Sequence, residues 1–600
     1  MKYRAMQELD TWREQTDVFK GYNHNLRIDD GEFYDMTNLS SDNYPILSPR
    51  HQRGVYASPI NEDVAPLGMI SKDAFCYVDD GKFLINKSNT GFEDMRLNDK
   101  PKTLVSMGAY VIIMPDKVWV NTQPTKENPD TWGYIEATYT STSGNVRFSL
   151  CDAEGVIYGD VTTIHSGAMA PENPSNMELW VDTSGAEATL KRYSDTTDQW
   201  ISISTTYIMI EFVDETTVDL TTLFSDNDGI TLSGVENPSL SRFNSTMVAH
   251  RVGQNFVIVT GMIGSVVTQD TSVYHLTITR KMPNMDFIIE SGNRLWGCRY
   301  GTALNGEVVN EIYASKLGDF KNWNCFAGIS TDSYVASVGT DGQFTGAITY
   351  LGYPIFFKEN CMHKVYGNYP SNYQVQTTAC RGVQKGCHKS LAIVNETLYY
   401  KARTSVCAYD GSLPVEVSYA LGDVPYSDAV AGSLGNKYYI SMKDANNGYH
   451  LFVYDAAKGM WYREDDTQAV EFCNARGDLY YIDYADNQIK TVRGTGTLDT
   501  SLVHWEAVTG ILGTDSPDKK YISRIDVRLR LDLGTKVTIY AEYDSSGEWV
   551  HLLTMDGVSL RSFAVPVRPK RCDHLRLKIA GQGDVKIYSI CKTVEQGSDV

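Results

Sequence analysis

The chain of 600 residues has none of the short motifs that mark the commonest enzyme classes. There is no phosphate-cradling GxxxxGK[ST] loop, no GxSxG nucleophile turn, no HExxH helix and no CxxC pair. No apolar run approaches the ~20 residues of a membrane span. The opening stretch, MKYRAMQELDTWREQ, has no apolar core and does not read as a signal peptide. Positive charge is scarce: 54 Lys and Arg against 74 Asp and Glu leave a net charge of −20. Such a balance argues against a broad grip on phosphate, which needs clustered cations, although an acidic wall can let nucleic acid slide past. The 11 cysteines are scattered and odd in number. They read as reduced thiols of a chain folded in a cytoplasm rather than as a disulfide framework. The one metal-like grouping, Cys380-x6-Cys387-His388, matches no usual zinc spacing, so neither metal nor cofactor is expected.

What the chain does have is tyrosine, 38 residues of it, with 48 glycines and many Thr and Ser. Tyrosine suits half-buried pleated surfaces and interfaces, and no long stretch holds a 3.6-residue period, so the fold class is all-β. A unit of strand, turn, aromatic-rich strand, turn and strand recurs. It is legible in GMISKDAFCYVDDGKFLINK (68–87), KTLVSMGAYVIIMPDKVWVNT (102–122) and DFIIESGNRLWGCRYG (286–301). It returns in TGAITYLGYPIFFKENCMHKVYG (345–367), KSLAIVNETLYYKARTSVCAYDG (389–411) and two further copies up to residue 492. A period near 40 residues built from short antiparallel strands predicts a β-propeller of about seven blades.

The predicted organisation is an N-terminal arm and lead-in (1–60), the first blades (61–124), one or two inserted β domains (125–280), the remaining blades (281–495) and a C-terminal β-sandwich (496–600). In the last segment Ile525, Val527, Leu529 and Leu531 alternate with Arg524, Arg528 and Arg530, while Leu575, Leu577 and Ile579 alternate with Arg576 and Lys578. Residues 519–578 hold twelve Lys and Arg against seven Asp and Glu. Arg524, Arg528, Arg530, Arg576 and Lys578 are therefore a candidate docking face, with a solvated sheet face as the plain alternative.

Propellers often serve glycosidases, which need two carboxylates a few ångströms apart. The obvious pairs, Asp79-Asp80 and Asp465-Asp466, are sequence neighbours, and neighbours on a strand point to opposite faces. YDSSGEW (543–549) and SDTTDQW (194–200) only approximate the Ser-x-Asp-x-Gly-x-x-Trp box of sialidases, and VYDAAKGMW (453–461) reads as blade packing. No catalytic residue is assigned, and the sequence predicts a chain that is not an enzyme.

One stretch stands apart. EIYASKLGDFKNW runs off a strand into Gly318-Asp319 and closes on Trp323. With DFIIESGNRLWG, MHKVYG and the lead-in Asn38…Pro49-Arg50…Arg53-Gly54, it resembles the propeller of tailed-bacteriophage nozzle, or packaged-DNA stabilisation, proteins. In that pattern Ser315, Gly318, Asp319, Phe320 and Trp323 form the blade motif. The resemblance covers chiefly 30–120 and 286–495 and leaves the inserted and C-terminal domains outside it. It implies a structural virion protein of the tail, assembled in the host cytoplasm. Copies would form a ring around the DNA exit channel and retain packaged DNA. They would contact a head-to-tail adaptor and receptor-binding fibres or spikes, and viral DNA would pass without sequence recognition. A propeller glycosidase or depolymerase, or a glycan-binding adhesin, is the alternative.

Overall fold

The computed structural model describes residues 11–158, 164–213, 218–303, 306–499, 501–513, 520–556, 561–565 and 571–596. Helix among them is confined to five short 3₁₀ turns, and the fold is an all-β propeller with an inserted β domain and a C-terminal β-sandwich. The chain divides into two compact units, Met1–Lys102 with Phe356–His363 and Thr377–Val600, and Thr103–Ile355 with Lys364–Gln376.

Seven antiparallel sheets follow one another as blades. The first unit holds blade one (68–85), blade five (392–416), blade six (427–465) and blade seven (469–491). The second holds blade two (103–134) and blade three (287–337), and the division passes through blade four (346–379). Several blades turn on two consecutive left-handed residues: Asp80-Gly81, Leu351-Gly352, Asn395-Glu396 and Arg476-Gly477. Such a turn matches the right-handed twist of the strands it joins, so the repeated turn sets the repeated blade. Blade one has only three strands. Over its outer edge runs 88–97, which buries Phe92, Met95 and Leu97 and sets Phe92 edge-on to Phe83 at 5.4 Å.

Blade seven is completed from far away in sequence. Gly54–Ala57 pairs antiparallel with Ile489–Thr491, and Tyr56 enters an aromatic cluster with Phe75 of blade one and Tyr480 of blade seven. Three further strands of the lead-in are committed in the same way. Thr11–Thr16 pairs with Val585–Gln596, Gly21–Tyr22 with Met460–Asp465, and Glu32–Thr37 with His504–Thr509. These partners lie more than 400 residues on, so no local pattern announces them, and the segment reads as an arm in sequence. Through them the sheet of blade six continues into the C-terminal sandwich, whose second sheet is Thr11–Thr16, Val585–Gln596, Lys520–Leu531 and Arg561–Val565.

The core places tyrosine deeper than its amphipathic character suggests. Tyr350, Tyr400, Tyr409, Tyr438, Tyr480 and Tyr481 are fully buried. Two of these hydroxyls bond to the backbone: Tyr438 donates to the Ser390 carbonyl at 2.7 Å and Tyr400 to that of Arg381 at 2.5 Å.

In the second unit the chain leaves blade two at Tyr134 and returns at Arg280. Between them an eight-stranded sheet encloses Phe148, Ile210, Phe212 and Ile278, and a small four-stranded sheet (164–202) packs on it.

The closing strand starts at a glycine for a steric reason. A Cβ on Gly54 would meet the Thr495 carbonyl oxygen at 2.6 Å and the Gly494 carbonyl carbon at 2.7 Å, both backbone atoms that cannot swing aside. Gly54→Ala is expected to lower unfolding free energy by ~1–3 kcal/mol, read as a fall in urea midpoint at unchanged slope. An unchanged midpoint would mean that the strand shifts without cost.

Candidate functional site

Around the closing strand the lead-in residues Asn38, Arg50 and Arg53 converge with the end of blade six. Arg53 is buried. Its Nη2 meets Glu464 Oε2 at 2.9 Å and Asp465 Oδ2 at 2.8 Å, while its Nη1 donates to the Thr467 hydroxyl at 2.9 Å and the Tyr481 hydroxyl at 2.7 Å. Arg50 reaches Asp465 at 3.3 Å and Glu464 at 3.8 Å, and its Nε donates to Asn38 Oδ1 at 2.7 Å. Asn38, itself left-handed, donates through its amide to the His504 carbonyl at 2.7 Å.

Two carboxylates adjacent on a strand should diverge, yet Glu464 and Asp465 meet one guanidinium. The register supplies the reason: Leu451 pairs with Asp465 and Phe452 with Arg463, which leaves Glu464 as the extra residue of a β-bulge. A bulge bends the strand and re-aims its side chains. Asp466, by contrast, turns away to Arg463 and His450.

Burial opposes charge on both sides of this cluster. Burial works against the Arg53 guanidinium, but Asp465, Tyr481 and Glu464 outweigh it and hold the group more firmly protonated than usual. Burial likewise opposes the Asp465 carboxylate, and Arg53 and Arg50 outweigh it, so its pKa lies below the ordinary range. Buried ion pairs contribute more to a defined geometry than to net stability. Here the geometry defined is the seat of the closing strand.

Beside the cluster opens a cavity of about 660 Å³, of the size of small-ligand sites. Arg50, Arg53, Asp465, Asp483, Lys490 and Asp499 are among its lining groups, with Tyr481 as its aromatic wall. Lys490 bridges Asp483 and Asp486 at 2.7 Å each. These residues come from two stretches, 50–53 and 465–499, more than 400 positions apart, which is why a search for short motifs misses them.

The blade motif is a joint. Ser315 accepts the Leu295 N–H through its hydroxyl at 3.0 Å, and its carbonyl accepts from buried Arg294 at 2.7 Å. Gly318 takes φ +73° in the turn, and Asp319 accepts from the Lys321 N–H at 2.9 Å and from the Asn322 amide at 2.6 Å. Phe320 and Trp323 are buried between blades two and three with Ile112, Trp119, Ile288 and Leu295. Asn322 then links the joint to the inserted domain: its side-chain Nδ2 donates to Asp228 at 2.7 Å and its side-chain Oδ1 accepts the Gly229 N–H at 2.8 Å. Asp228 pairs with buried Arg280, at the point where the inserted chain returns.

The five basic residues of the C-terminal segment are not brought together. Arg524, Arg528 and Arg530 stand exposed on Lys520–Leu531 of one sheet, whereas Arg576 and Lys578 lie on Leu575–Gln582 of the other. Acids accompany them: Asp526 with Arg524 at 2.9 Å, Asp532 with Arg530 at 3.4 Å, Glu542 with Arg576 at 3.7 Å and Glu506 with Lys578 at 3.8 Å. Cys387 is buried with its sulfur accepting the Ala429 N–H at 3.4 Å. Burial, with Lys389 nearby, lowers the His388 pKa to about 4. Among the described residues no group of three or more His, Cys, Asp and Glu is arranged to hold a metal ion.

No protein-family model and no curated protein matches the chain. Solved structures similar to it include an exo-β-1,3-galactanase from Phanerochaete chrysosporium, at 9% identity over 51% of this chain and 94% of that one, TM-score 0.21. A family 43 arabinoxylan arabinofuranohydrolase from Bacillus subtilis matches at 8% identity over 50% and 94%, TM-score 0.15. An acylaminoacyl peptidase from Pyrococcus horikoshii matches at 10% identity over 49% and 47%, TM-score 0.22. The expectation that the chain is not an enzyme is withdrawn as a correction, the similar structures including glycoside hydrolases and a peptidase. The expectation rested on absent short motifs, and a propeller collects its polar groups from distant strands, as the cavity here does.

Two outcomes test the geometry. Trp323→Ala is expected to destabilise the protein by ~3–5 kcal/mol in chemical denaturation, the cost of emptying a large buried aromatic site. Because the Asp465 pKa is depressed by folding, its contribution is complete above the unfolded value of about 4 and is lost as pH falls through the lower folded value. Urea midpoints followed from pH 7 to pH 3 should therefore fall more steeply in the wild type than in Asp465→Asn. Parallel curves would remove Asp465 from the linkage.

Proposed function

We propose that this chain is a structural protein of a bacteriophage tail, of the nozzle or hub type. In this reading copies ring the DNA exit channel, retain packaged DNA and connect a head-to-tail adaptor to receptor-binding fibres. The observation that supports it is the behaviour of the two stretches that carry the resemblance. Asn38, Arg50, Arg53 and Gly54 seat the strand that completes blade seven, and Ser315 to Trp323 join two blades to the inserted domain. Both are architectural joints, as a shared scaffold requires. The acidic balance of the chain suits a passage that DNA must traverse without sticking.

A second reading, a propeller glycosidase or depolymerase or a glycan-binding adhesin, is favoured by the cavity of about 660 Å³ with Asp465, Asp483 and Asp499 in its wall. The names of the similar structures lean toward this reading rather than the first.

One pair of measurements separates them. Purified protein examined by mass photometry and electron microscopy should form closed rings, and antibody against it should label the tails of intact particles. Monomers, together with particles that carry no label, would overturn the tail reading. Release of reducing sugar from host surface polysaccharide, abolished by Asp465→Asn or Asp483→Asn in protein that remains folded, would establish the second.

A further inference from the structure

The small sheet of the inserted domain has an aromatic outer face. Ile164–Gly167, Leu179–Asp182, Thr189–Ser194 and Gln199–Ser202 pair in that order. Leu179, Val181 and Leu190 point inward and belong to the domain core. The register places His165, Trp180, Lys191 and Ser202 in one row on the opposite face, and Tyr193 and Trp200 beside each other in the next. Trp180 and Trp200 meet edge to face at 5.5 Å, and Tyr193 lies 5.5 Å from Trp200. Trp180 is buried beneath this layer, while Tyr193 and Trp200 remain partly exposed. Two large rings, Tyr193 and Trp200, are thus left partly uncovered over the buried Trp180, on the side of the sheet turned away from its core.

The charges on this face narrow what would cover these rings. Lys191 is matched by Asp182 at 2.7 Å and lies over the Trp180 ring at 5.0 Å. His165 is matched by Glu178 at 2.7 Å, and the Tyr193 hydroxyl donates to Asp198 at 2.5 Å. Lys191, the lysine of this row, therefore has its acid within contact distance, so a polyanion finds no free ammonium group here. What remains is ring surface bordered by oriented hydrogen-bond acceptors and donors. We propose that the outer face of this sheet, centred on Trp200, Tyr193 and Trp180, binds a neutral oligosaccharide. Sugar C–H faces lie on the exposed rings and hydroxyls bond to Asp182, Glu178 and Lys191. The inference goes beyond the tail reading and does not depend on ring assembly.

The experiment is a tryptophan-fluorescence titration of the full chain, with ligand-observed NMR as the second readout. The probes are neutral malto-, chito- and xylo-oligosaccharides, with heparin fragments and single-stranded DNA as charged comparators. At least one neutral probe should bind with a Kd of about 1 mM or tighter, and Trp200→Ala should weaken it roughly tenfold or more. Tyr193→Phe, which keeps the ring, should change it by less than about threefold. Circular dichroism and an unchanged urea midpoint keep loss of binding distinct from loss of fold. Should Trp200→Ala fail to fold, Trp200→Phe and Ser202→Glu serve in its place, the first weakening and the second blocking the face. Absence of binding by every neutral probe, binding unaffected by these variants, or preference for the charged comparators would overturn the proposal.

Discussion

The contact on which the first unit depends is the seating of Gly54–Ala57 against Ile489–Thr491. A propeller blade exposes two apolar faces, and the last blade of the chain lacks an outer strand until the N-terminal segment supplies one. Backbone pairing alone would let that strand slide, because a one-residue slip costs little where the neighbouring turns are flexible. The Arg50 and Arg53 cluster removes the freedom. Arg53 engages Glu464, Asp465, Thr467 and Tyr481 through its two terminal nitrogens, and leaving these buried charges unpaired after a slip is costly.

The bulge at Glu464 belongs to the same logic. A regular strand would send Glu464 and Asp465 to opposite faces, and one arginine could not bind both. The extra residue turns both inward, so the end of blade six becomes a socket for the lead-in. Because blade six also continues through Gly21–Tyr22 into the C-terminal sandwich, the same short region ties the termini to the propeller. In the second unit the joint at Asp319 to Trp323 has a comparable place. Phe320 and Trp323 fill the space between two blades, and Asn322 extends a hydrogen-bonded chain through Asp228 to Arg280.

The polar cavity beside the closing strand and the aromatic face of the inserted sheet differ in what a sequence can reveal. The aromatic face lies within 38 residues, and its alternation in LWVD and TLKRYS is visible once the strands are placed. The cavity draws Arg53, Asp465, Asp483 and Asp499 from opposite ends of the chain, and no spacing rule relates them. Composition likewise suggested one basic face, but the sandwich divides Arg524, Arg528 and Arg530 from Arg576 and Lys578 by placing their strands in different sheets.

From sequence alone come the all-β class, the recurrence of the blade and the burial of alternating residues such as Ile525, Val527 and Leu529. Each follows from local physics: strand periodicity of two, left-handed turn residues and aromatic content. The tertiary structure alone decided that Thr11–Thr16, Gly21–Tyr22, Glu32–Thr37 and Gly54–Ala57 of the lead-in are strands paired with the far end of the chain. It also decided that adjacent Glu464 and Asp465 share a partner and that Asn322 reaches the inserted domain. Each of these depends on groups brought together across hundreds of residues, and their energies reside in long-range pairing and buried charge, which no window along the chain contains.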